Sequence, residues 1–185
     1  ETCQLIRQHF AGPIYCDLHM LVHAVQADGW RRLQPLPNID QWCRCFDLLQ
    51  MNEDEVTTVA REPLELAATA MIAGVRSLTV TLGSRGAVYF AAPGFERLAD
   101  LESSRAAAQT FGPLRTALVP VDVAFDAGDP TGCGDVWGAT YFSRLLAGDD
   151  ISHAMRAAHA AAARNVMFRG ATGLARHLRG ELITR

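Results

Sequence analysis

The sequence contains no lysine, and all 17 of its basic residues are arginine. Schiff-base and pyridoxal-phosphate chemistry are therefore excluded, because both need the amine of a lysine side chain. The P-loop pattern G-x-x-x-x-G-K-[ST] is excluded for the same reason. If the protein binds phosphate, it must do so with backbone amides, with arginine or with a metal ion.

Long apolar runs and clusters of basic residues are also missing. The alanine-rich stretch at 157–163 is too short to cross a bilayer and ends at Arg164. The formal net charge of −3 gives no basic footprint for nucleic acid or for a membrane surface. No signal-peptide pattern opens the chain. We therefore expect a small-molecule partner, no nucleic-acid or membrane partner, and a cytoplasmic location.

The five cysteines form no recognisable disulfide or zinc pattern. Their number is odd, and no two of them have the spacing C-x-x-C. We expect reduced thiols at all five positions, which are Cys3, Cys16, Cys43, Cys45 and Cys133.

The order of apolar patterns predicts an α/β domain. With 185 residues, 49% of them hydrophobic, the chain can bury one sizeable core, so we expect one domain or most of one. Strands are predicted at 14–18, 46–51, 77–83, 86–92 and 116–123. Helices are predicted at 2–10, from Asn38 or Asp40 to Cys45, from Asn52 onward, and at 63–73, 135–146 and 151–168.

Two segments are predicted as loops, 19–37 and 92–114, the second with one helical turn. The 63–73 helix is expected to carry Leu64, Ala67, Ala68, Met71 and Ile72 on one face. The continuous apolar run SLTVTL indicates a strand covered on both faces, as in a parallel sheet. Ligands of such sheets collect at the carboxyl ends of the strands.

The segment DAGDPTGCGDVWG (126–138) precedes the predicted helix at 135–146. Amides in the first turn of a helix have no intrahelical partner, and the helix dipole favours negative charge there. Glycines at 132 and 134 would let a phosphate come close, and Asp135 could then accept the proton of an attacking hydroxyl. The alternative is structural, because aspartate and glycine are also common at helix starts for capping alone.

DPTGCGDVWGATYF resembles the second signature of the ribokinase-like, or PfkB, carbohydrate kinase family, which is roughly D-[TP]-x-G-[AC]-G-D before an apolar helix. Three further segments agree with the family in order. LQMNEDE resembles its N-x-x-E motif, VTLGSRGAVYF its nucleotide loop, and AHAAAARNVMFRGA its C-terminal adenine-side helix with a Gly-Ala turn. The resemblance covers roughly residues 46–171 and implies a ribokinase-like layered sandwich, with a central, mostly parallel sheet flanked by helices.

The resemblance also implies an ATP-dependent phosphotransferase that acts on a hydroxyl of a sugar or nucleoside-like substrate. Asp135 would be the catalytic base, and Gly132, Cys133 and Gly134 the anion hole. Asn52 and Glu55 would organise Mg²⁺, through water, while Asp129 would help to hold a monovalent cation such as K⁺. The residues implied to contact ATP are Thr81, Gly83, Gly86, Asn165 and Gly170.

Each of these motifs has a structural alternative. Asn52 and Glu55 have the spacing of a capping box. The segment 81–86 is also compatible with a tight hairpin turn, and Asn165 with a solvent-facing or core position. A non-catalytic nucleotide-binding or regulatory module of the same fold is the alternative function. His19 and His23, four residues apart, are a further metal candidate, but no third ligand is spaced with them and their segment is predicted as a loop.

Two departures from the family pattern stand out. The Gly-Gly-x-x-x-N region and the lid strands have no counterpart, so we expect residues 1–185 to be one partial kinase domain, its C-terminal portion. The family segment D-P-N-x-R corresponds to Asp17-Leu18-His19, where histidine replaces asparagine. The residues that select the substrate are expected largely in the missing part, as is the lid, which often forms the homodimer contact in the full-length form.

Overall fold

The computed structural model describes residues 1–106, 112–122, 128–167 and 179. The chain divides into two compact units. Unit 1 comprises residues 1–83 and 87–118, and unit 2 comprises residues 84–86 and 119–185. Four predicted segments therefore lie partly outside the described residues, namely the loop at 92–114, the strand at 116–123, the glycine-rich segment at 126–138 and the helix at 151–168.

A mostly parallel sheet confirms the α/β class predicted from the sequence. Its five strands lie in the order β1-β4-β5-β6-β7, and β2 and β3 pair separately. The strands are β1 (Tyr15–Asp17), β2 (His23–Val25), β3 (Arg31–Leu33), β4 (Leu48–Asn52), β5 (Ser77–Thr81), β6 (Ala87–Ala91) and β7 (Arg115–Val119).

The register of the sheet brings the ends of β1, β4 and β5 to one edge. Strand β4 pairs in parallel with β1 and with β5, so that Asn52 lies opposite Thr81. Strand β6 runs antiparallel to β5, which is the hairpin alternative for this segment. The first four residues of β5 are all buried, which confirms that this strand is covered on both faces.

Seven helices belong to the described residues, and most of them were predicted. They are α1 (Thr2–His9), α2 (Ile39–Cys43), α3 (Glu53–Val59), α4 (Pro63–Ala73), α5 (Leu101–Ala106), α6 (Cys133–Leu146) and α7 (Ile151–Asn165). Helix α6 begins two residues earlier than predicted, and α7 ends three residues before the predicted end. None of the helices in the described part of the chain is long and apolar enough to span a membrane.

Both segments predicted as loops contain more structure than expected. A 3-10 turn at Leu18–Leu21 extends into the segment 19–37, which also contains the hairpin β2–β3. Gly29, in the turn of this hairpin, has a φ of +81°. The strands were missed because each is only three residues long and none of their residues is buried. Residues 92–114 hold a 3-10 turn at Leu98–Asp100 followed by α5 rather than a single helical turn.

The predicted apolar face of α4 was wrong in part, since Ala67 and Met71 are buried as expected but the other three predicted residues are not. Leu66, Ala67, Ala70 and Met71 are buried, whereas the side chains of residues 64 and 72 are exposed. Because nearly every position of PLELAATAMIA is apolar, the pattern alone does not determine which face packs against the sheet.

Asp47, directly before β4, joins three parts of unit 1. Its buried carboxylate accepts hydrogen bonds from Arg7 at 2.8 Å, from the backbone amide of Ile14 at 2.8 Å and from Arg105 at 2.7 and 3.0 Å. Both arginines also donate to backbone carbonyls at Gly12. The carboxylate therefore fastens α1, the start of β1 and α5 to one point through charge-assisted hydrogen bonds.

The five cysteines are free, and Cys43 and Cys45 are buried. Burial raises the pKa of Cys16 and of Cys43 to about 12, and it also raises the pKa of Cys45. Since the thiolate is the nucleophile and the metal ligand, these three thiols are poor at both tasks.

Candidate active site

The N-x-x-E motif lies at the carboxyl end of β4, where ligands of parallel sheets collect. Asn52 is the last residue of β4, and its neighbour in register, Thr81, is the last residue of β5. The Thr81 hydroxyl donates to the carbonyl oxygen of Met51 at 3.4 Å. The structure thus places two of the predicted motifs side by side within unit 1.

Asn52 and Glu55 form a complete capping box at the start of α3. Oδ1 of Asn52 accepts the Glu55 amide at 2.9 Å, while the Asn52 amide donates to Oε2 of Glu55 at 2.8 Å. Nδ2 of Asn52 also donates to Oε1 of Glu55 at 2.8 Å. The structural alternative for this motif is therefore confirmed, and it fixes the orientation of a carboxylate that is only 2% exposed.

His19, which stands in the place of the asparagine in the family segment D-P-N-x-R, also belongs to this cluster. Its Nδ1 lies 2.6 Å from Oε1 of Glu55, although the two residues are 36 positions apart. The contact follows from the topology, because His19 lies two residues after β1 and Glu55 three residues after β4, and these strands are parallel neighbours. Only the pairing of the strands could have shown it, since the sequence spacing carries no such signal.

The predicted nucleotide loop is a tight turn between β5 and β6. This agrees with the structural alternative for the segment 81–86, a tight hairpin turn. Gly83 has a φ of +62°, and a Cβ added there would meet no atom within 4 Å. Gly86 has a φ of +105°, and its Cβ would lie 2.2 Å from the carbonyl oxygen of Val119. Gly86 is therefore required by packing, whereas the space beside Gly83 is open.

In unit 2, the glycine-rich loop leads directly into α6. Gly132 is the N-cap residue in the left-handed conformation, with a φ of +80°. Gly134 and Asp135 lie exposed in the first turn, and a Cβ added to Gly134 would meet nothing within 4 Å. The amide of Cys133 donates to the carbonyl oxygen of Pro130 at 3.0 Å, so this predicted anion-hole donor takes part in a hydrogen bond of the loop itself.

The C-terminal end of α7 supports this loop. Asn165 is fully buried, and its Nδ2 donates to the carbonyl oxygen of Thr131 at 3.2 Å and contacts Sγ of Cys133 at 3.5 Å. Asp129 bonds back through its amide to the carbonyl oxygen of Val166 at 3.0 Å. Asn165 therefore contacts the loop before α6, and the predicted contact with an adenine base stays a prediction.

Asp129 also shapes the loop locally. Its Oδ1 accepts the amide of Thr131 at 2.9 Å, the arrangement of an Asx turn. No hydrogen-bond donor among the described residues reaches the buried Oδ1 of Asn165. The last predicted nucleotide contact, Gly170, lies outside the described residues.

The predicted site residues thus fall into two groups. Asn52, Glu55, Thr81 and Gly83 belong to unit 1, and the segment 129–135 belongs to unit 2 together with Gly86 and Asn165. The first group presents oxygen ligands at the end of parallel strands. The second presents a helix entrance with an exposed carboxylate.

Comparison with known proteins gives one family. The family model described as pfkB family carbohydrate kinase matches residues 22–176, which is most of the chain. A search of curated protein sequences returns no match.

Solved structures share the fold at low sequence identity. A pyrophosphate-dependent kinase of the ribokinase family, solved as a sulfate complex, has a TM-score of 0.65 and 15% identity, covering 91% of this chain and 52% of its own. Arabidopsis thaliana ribokinase with ribose and ATP gives 0.62 and 20%, covering 91% and 45%. An E. coli protein with ATP and Mg²⁺ gives 0.55 and 23%, covering 71% and 36%. The chain spans about half the length of the first of these proteins.

Proposed function

Because the chain belongs to the pfkB family of carbohydrate kinases, we propose that it is the nucleotide-binding and catalytic part of an ATP-dependent kinase. The substrate is a sugar or a nucleoside-like alcohol, and one of its hydroxyl groups receives the phosphoryl group. The observation that carries the proposal is the entrance of α6, where Gly134 and Asp135 are exposed in the first turn beside open space.

The helix entrance supplies the electrostatic part of the mechanism. Gly132 and Gly134 lie at the start of α6. Amides in the first turn of a helix have no partner within the helix, and the helix dipole adds positive potential at this end. Both act on the charge of a transferring phosphoryl group without any lysine. The amide of Cys133 must first exchange its bond to Pro130 before it can join them.

Asp135 is the proposed general base. It accepts the proton of the substrate hydroxyl while the hydroxyl oxygen forms a bond to the γ-phosphorus and the bond from that phosphorus to the bridging oxygen of ADP breaks. In a loose phosphoryl-transfer transition state, positioning matters more than the strength of the base. An exposed carboxylate at a helix start is adequate for this role.

The N-x-x-E motif provides a donor set that fits Mg²⁺. A carboxylate and an amide oxygen are hard ligands, and the hydrogen bonds from Asn52 hold the Glu55 carboxylate in one orientation. Because Mg²⁺ loses its bound water reluctantly, contact between the carboxylate and this ion through metal-bound water fits better than direct ligation. When bound, Mg²⁺ would neutralise charge on the phosphates.

The remaining nucleotide contacts and the cation contact are part of the same proposal. Thr81 and Gly83 would border the phosphates, and the open space at Gly83 is compatible with this. Gly86 would keep the turn tight, while Asn165 and Gly170 would lie on the base side. Asp129 would contribute to a K⁺ site.

Phosphoryl transfer to a panel of sugars and nucleosides tests the proposal. The whole protein and the 185-residue chain would each be given Mg²⁺ with either ATP or pyrophosphate as donor, because one structural neighbour is a pyrophosphate-dependent kinase. Transfer from ATP to one class of alcohol supports the proposal. Transfer from pyrophosphate alone would contradict the assignment of ATP as donor.

Calorimetry separates the kinase from a non-catalytic nucleotide-binding module of the same fold. ATP with Mg²⁺ at 100 times Kd should raise the free energy of unfolding by about 2.7 kcal/mol if it binds the folded chain. If the whole protein binds ATP but transfers no phosphoryl group to any member of the panel, the result would favour the non-catalytic module.

A further inference from the structure

We propose that His19, His23 and Glu55 form a binding site for one divalent transition-metal ion of the zinc class. These residues offer two imidazoles and one carboxylate, and their ligand atoms all lie within 4.8 Å of one another. Among the residues that the structure describes, no other group of three such side chains is this compact. The site differs from the proposed Mg²⁺ site in its ligands, although both use Glu55.

The spacing of the three side chains is close to what a tetrahedral metal requires. Ligand atoms about 2.0–2.1 Å from zinc are roughly 3.4 Å apart in a tetrahedron. Nδ1 of His19 lies 2.6 Å from Oε1 of Glu55, and the two imidazole rings are 4.1 Å apart at their centroids. Shifts of about 1 Å, within side-chain rotation, would therefore assemble the site.

His23 already has the hydrogen bond that metal-binding histidines need. Its Nδ1 lies 2.6 Å from the carbonyl oxygen of His19. Because a carbonyl oxygen can only accept, Nδ1 carries the hydrogen in the neutral ring, and Nε2 keeps its lone pair. Such a bond from the second ring nitrogen to a backbone carbonyl orients the imidazole and fixes the tautomer at metal sites.

The other two ligands are also held in place by contacts outside the site. The amide of His19 donates to Oδ1 of Asp17 at 3.0 Å, and Oδ2 of Asp17 accepts from Gln50 at 3.1 Å. Asn52 donates twice to the Glu55 carboxylate. The 3-10 turn and the start of α3 are thus tied to neighbouring parallel strands, so the ligands come from a prearranged edge of the sheet.

The ligand types favour zinc or a similar ion over magnesium. Imidazole suits Zn²⁺, Cu²⁺, Ni²⁺ and Fe²⁺, whereas Mg²⁺ prefers oxygen ligands and retained water. The Glu55 side chain is 2% exposed and that of His19 is 44% exposed, so the cluster is buried on one side and reachable from solvent on the other. Three protein ligands with one position left for water is the usual form of an open zinc site.

Metal titration of the 185-residue chain tests the site. Co²⁺ serves as the spectroscopic probe, Zn²⁺ as the competitor, and a tenfold or larger excess of Mg²⁺ is present throughout. The expected result is one Co²⁺ per chain, with tetrahedral d–d absorption, no thiolate charge-transfer band, and full displacement by one equivalent of Zn²⁺. A thiolate band would overturn the proposal, because the metal would then be held by cysteine.

The His23→Gln variant is the decisive arm. Glutamine keeps an N–H donor for the His19 carbonyl but has no imidazole. Loss of a residue that only hydrogen-bonds to a metal ligand lowers metal affinity by roughly 10–100-fold, and loss of the ligand itself should lower the affinity for Zn²⁺ by more than this. His9→Gln, in exposed helix α1, is the matched control and should bind like the wild type. Equal affinity in the wild type and His23→Gln would overturn the proposal. If His23→Gln fails to fold, His19→Gln replaces it with the same expected loss.

This inference does not depend on kinase activity, since its readout is metal binding alone. Its consequence for catalysis does rest on the proposed function. Zinc held by Glu55 would compete with the Mg²⁺ role of the same carboxylate. Failure of phosphoryl transfer would leave the binding result unchanged, and failure of metal binding would leave the kinase proposal unchanged.

Discussion

The indole nitrogen of Trp137 donates a hydrogen bond of 2.9 Å to Nδ1 of His159, and both side chains are buried. Because an indole N–H only donates, Nδ1 of His159 must carry the lone pair. Its Nε2 then carries the hydrogen and donates to the carbonyl oxygen of Val119 at 3.0 Å. A neutral histidine thus links α6 and α7 to the end of β7. Its partner on α6, Trp137, lies two residues after Asp135.

The first prediction is that stability falls as pH drops below about 6.5. Burial lowers the pKa of His159 from its ordinary value of 6.5, although its bond to Val119 and the charge of Asp122 oppose the shift. Between the unfolded and folded pKa values the unfolded state binds a proton that the native state does not, so the free energy of unfolding decreases with falling pH. The loss is complete below the folded pKa.

Urea unfolding between pH 7.5 and pH 5 measures this dependence. His159→Gln should lower the free energy of unfolding at pH 7 by roughly 1–3 kcal/mol, because it breaks a buried hydrogen-bonded link, and should flatten the slope below pH 6.5. His153→Gln changes an exposed histidine of the same helix and should keep the slope. A slope that is unchanged in His159→Gln would show that other groups cause it.

A second prediction concerns the Asp47 cluster. Asp47→Asn removes the charge that two arginines share in a largely buried setting, and the free energy of unfolding should fall by about 3 kcal/mol. Asp28→Asn is the matched control, since Asp28 pairs with Arg32 at the surface, and should cost less than about 1 kcal/mol. Equal losses at the two positions would contradict the assignment of Asp47 as the point that joins α1 and α5.

Two glycines should respond to alanine in opposite ways. Gly86→Ala places a Cβ against Val119 at a positive φ and should destabilise by roughly 3 kcal/mol. Gly134→Ala has no steric conflict and adds helix propensity, so stability should stay equal or rise by up to about 0.5 kcal/mol.

The same Gly134→Ala variant should weaken ATP binding, because the added methyl group occupies the space proposed for phosphate. Thermal unfolding and calorimetry on one preparation measure both quantities. Wild-type affinity for ATP in a stable Gly134→Ala variant would show that phosphate does not bind at this turn.

Glu55→Gln separates the capping role of the N-x-x-E motif from its metal role. Glutamine can serve in a capping box, so the free energy of unfolding should change by less than about 1 kcal/mol. The loss of charge should raise the Mg²⁺ concentration needed for half-maximal transfer by about tenfold or more. An unchanged Mg²⁺ requirement would show that Glu55 does not take part in Mg²⁺ binding.

Much of the fold was predictable because local signals agreed with tertiary structure. The capping box at Asn52, the buried run of β5 and the helix at 63–73 each combine a pattern with a physical cause, and the structure confirms all three. The helix entrance at 132–135 was also predicted, since glycine and aspartate have specific roles at helix starts.

The features that the sequence did not indicate are contacts between residues far apart in the chain. His19 reaches Glu55 only because β1 and β4 are parallel neighbours, and no spacing in the chain encodes that pairing. The bond from the Asn165 side chain to the carbonyl oxygen of Thr131 was also not indicated, because it depends on how α7 ends. The buried face of α4 was predicted only in part, because the helix is apolar at almost every position and its hydrophobic pattern does not distinguish a buried face from an exposed one.

The rate of phosphoryl transfer by Asp135→Asn in the whole protein tests most directly whether Asp135 is the catalytic base. Asparagine keeps the size of the side chain but cannot take the proton, so kcat should fall by about 10²–10⁴-fold. The Kd for ATP should stay within a few-fold of the wild type. Asp149→Asn, which changes an aspartate paired with Arg144 just after α6, is the control and should keep full activity. A kcat within a few-fold of the wild type in Asp135→Asn would contradict the central claim that this carboxylate is the catalytic base.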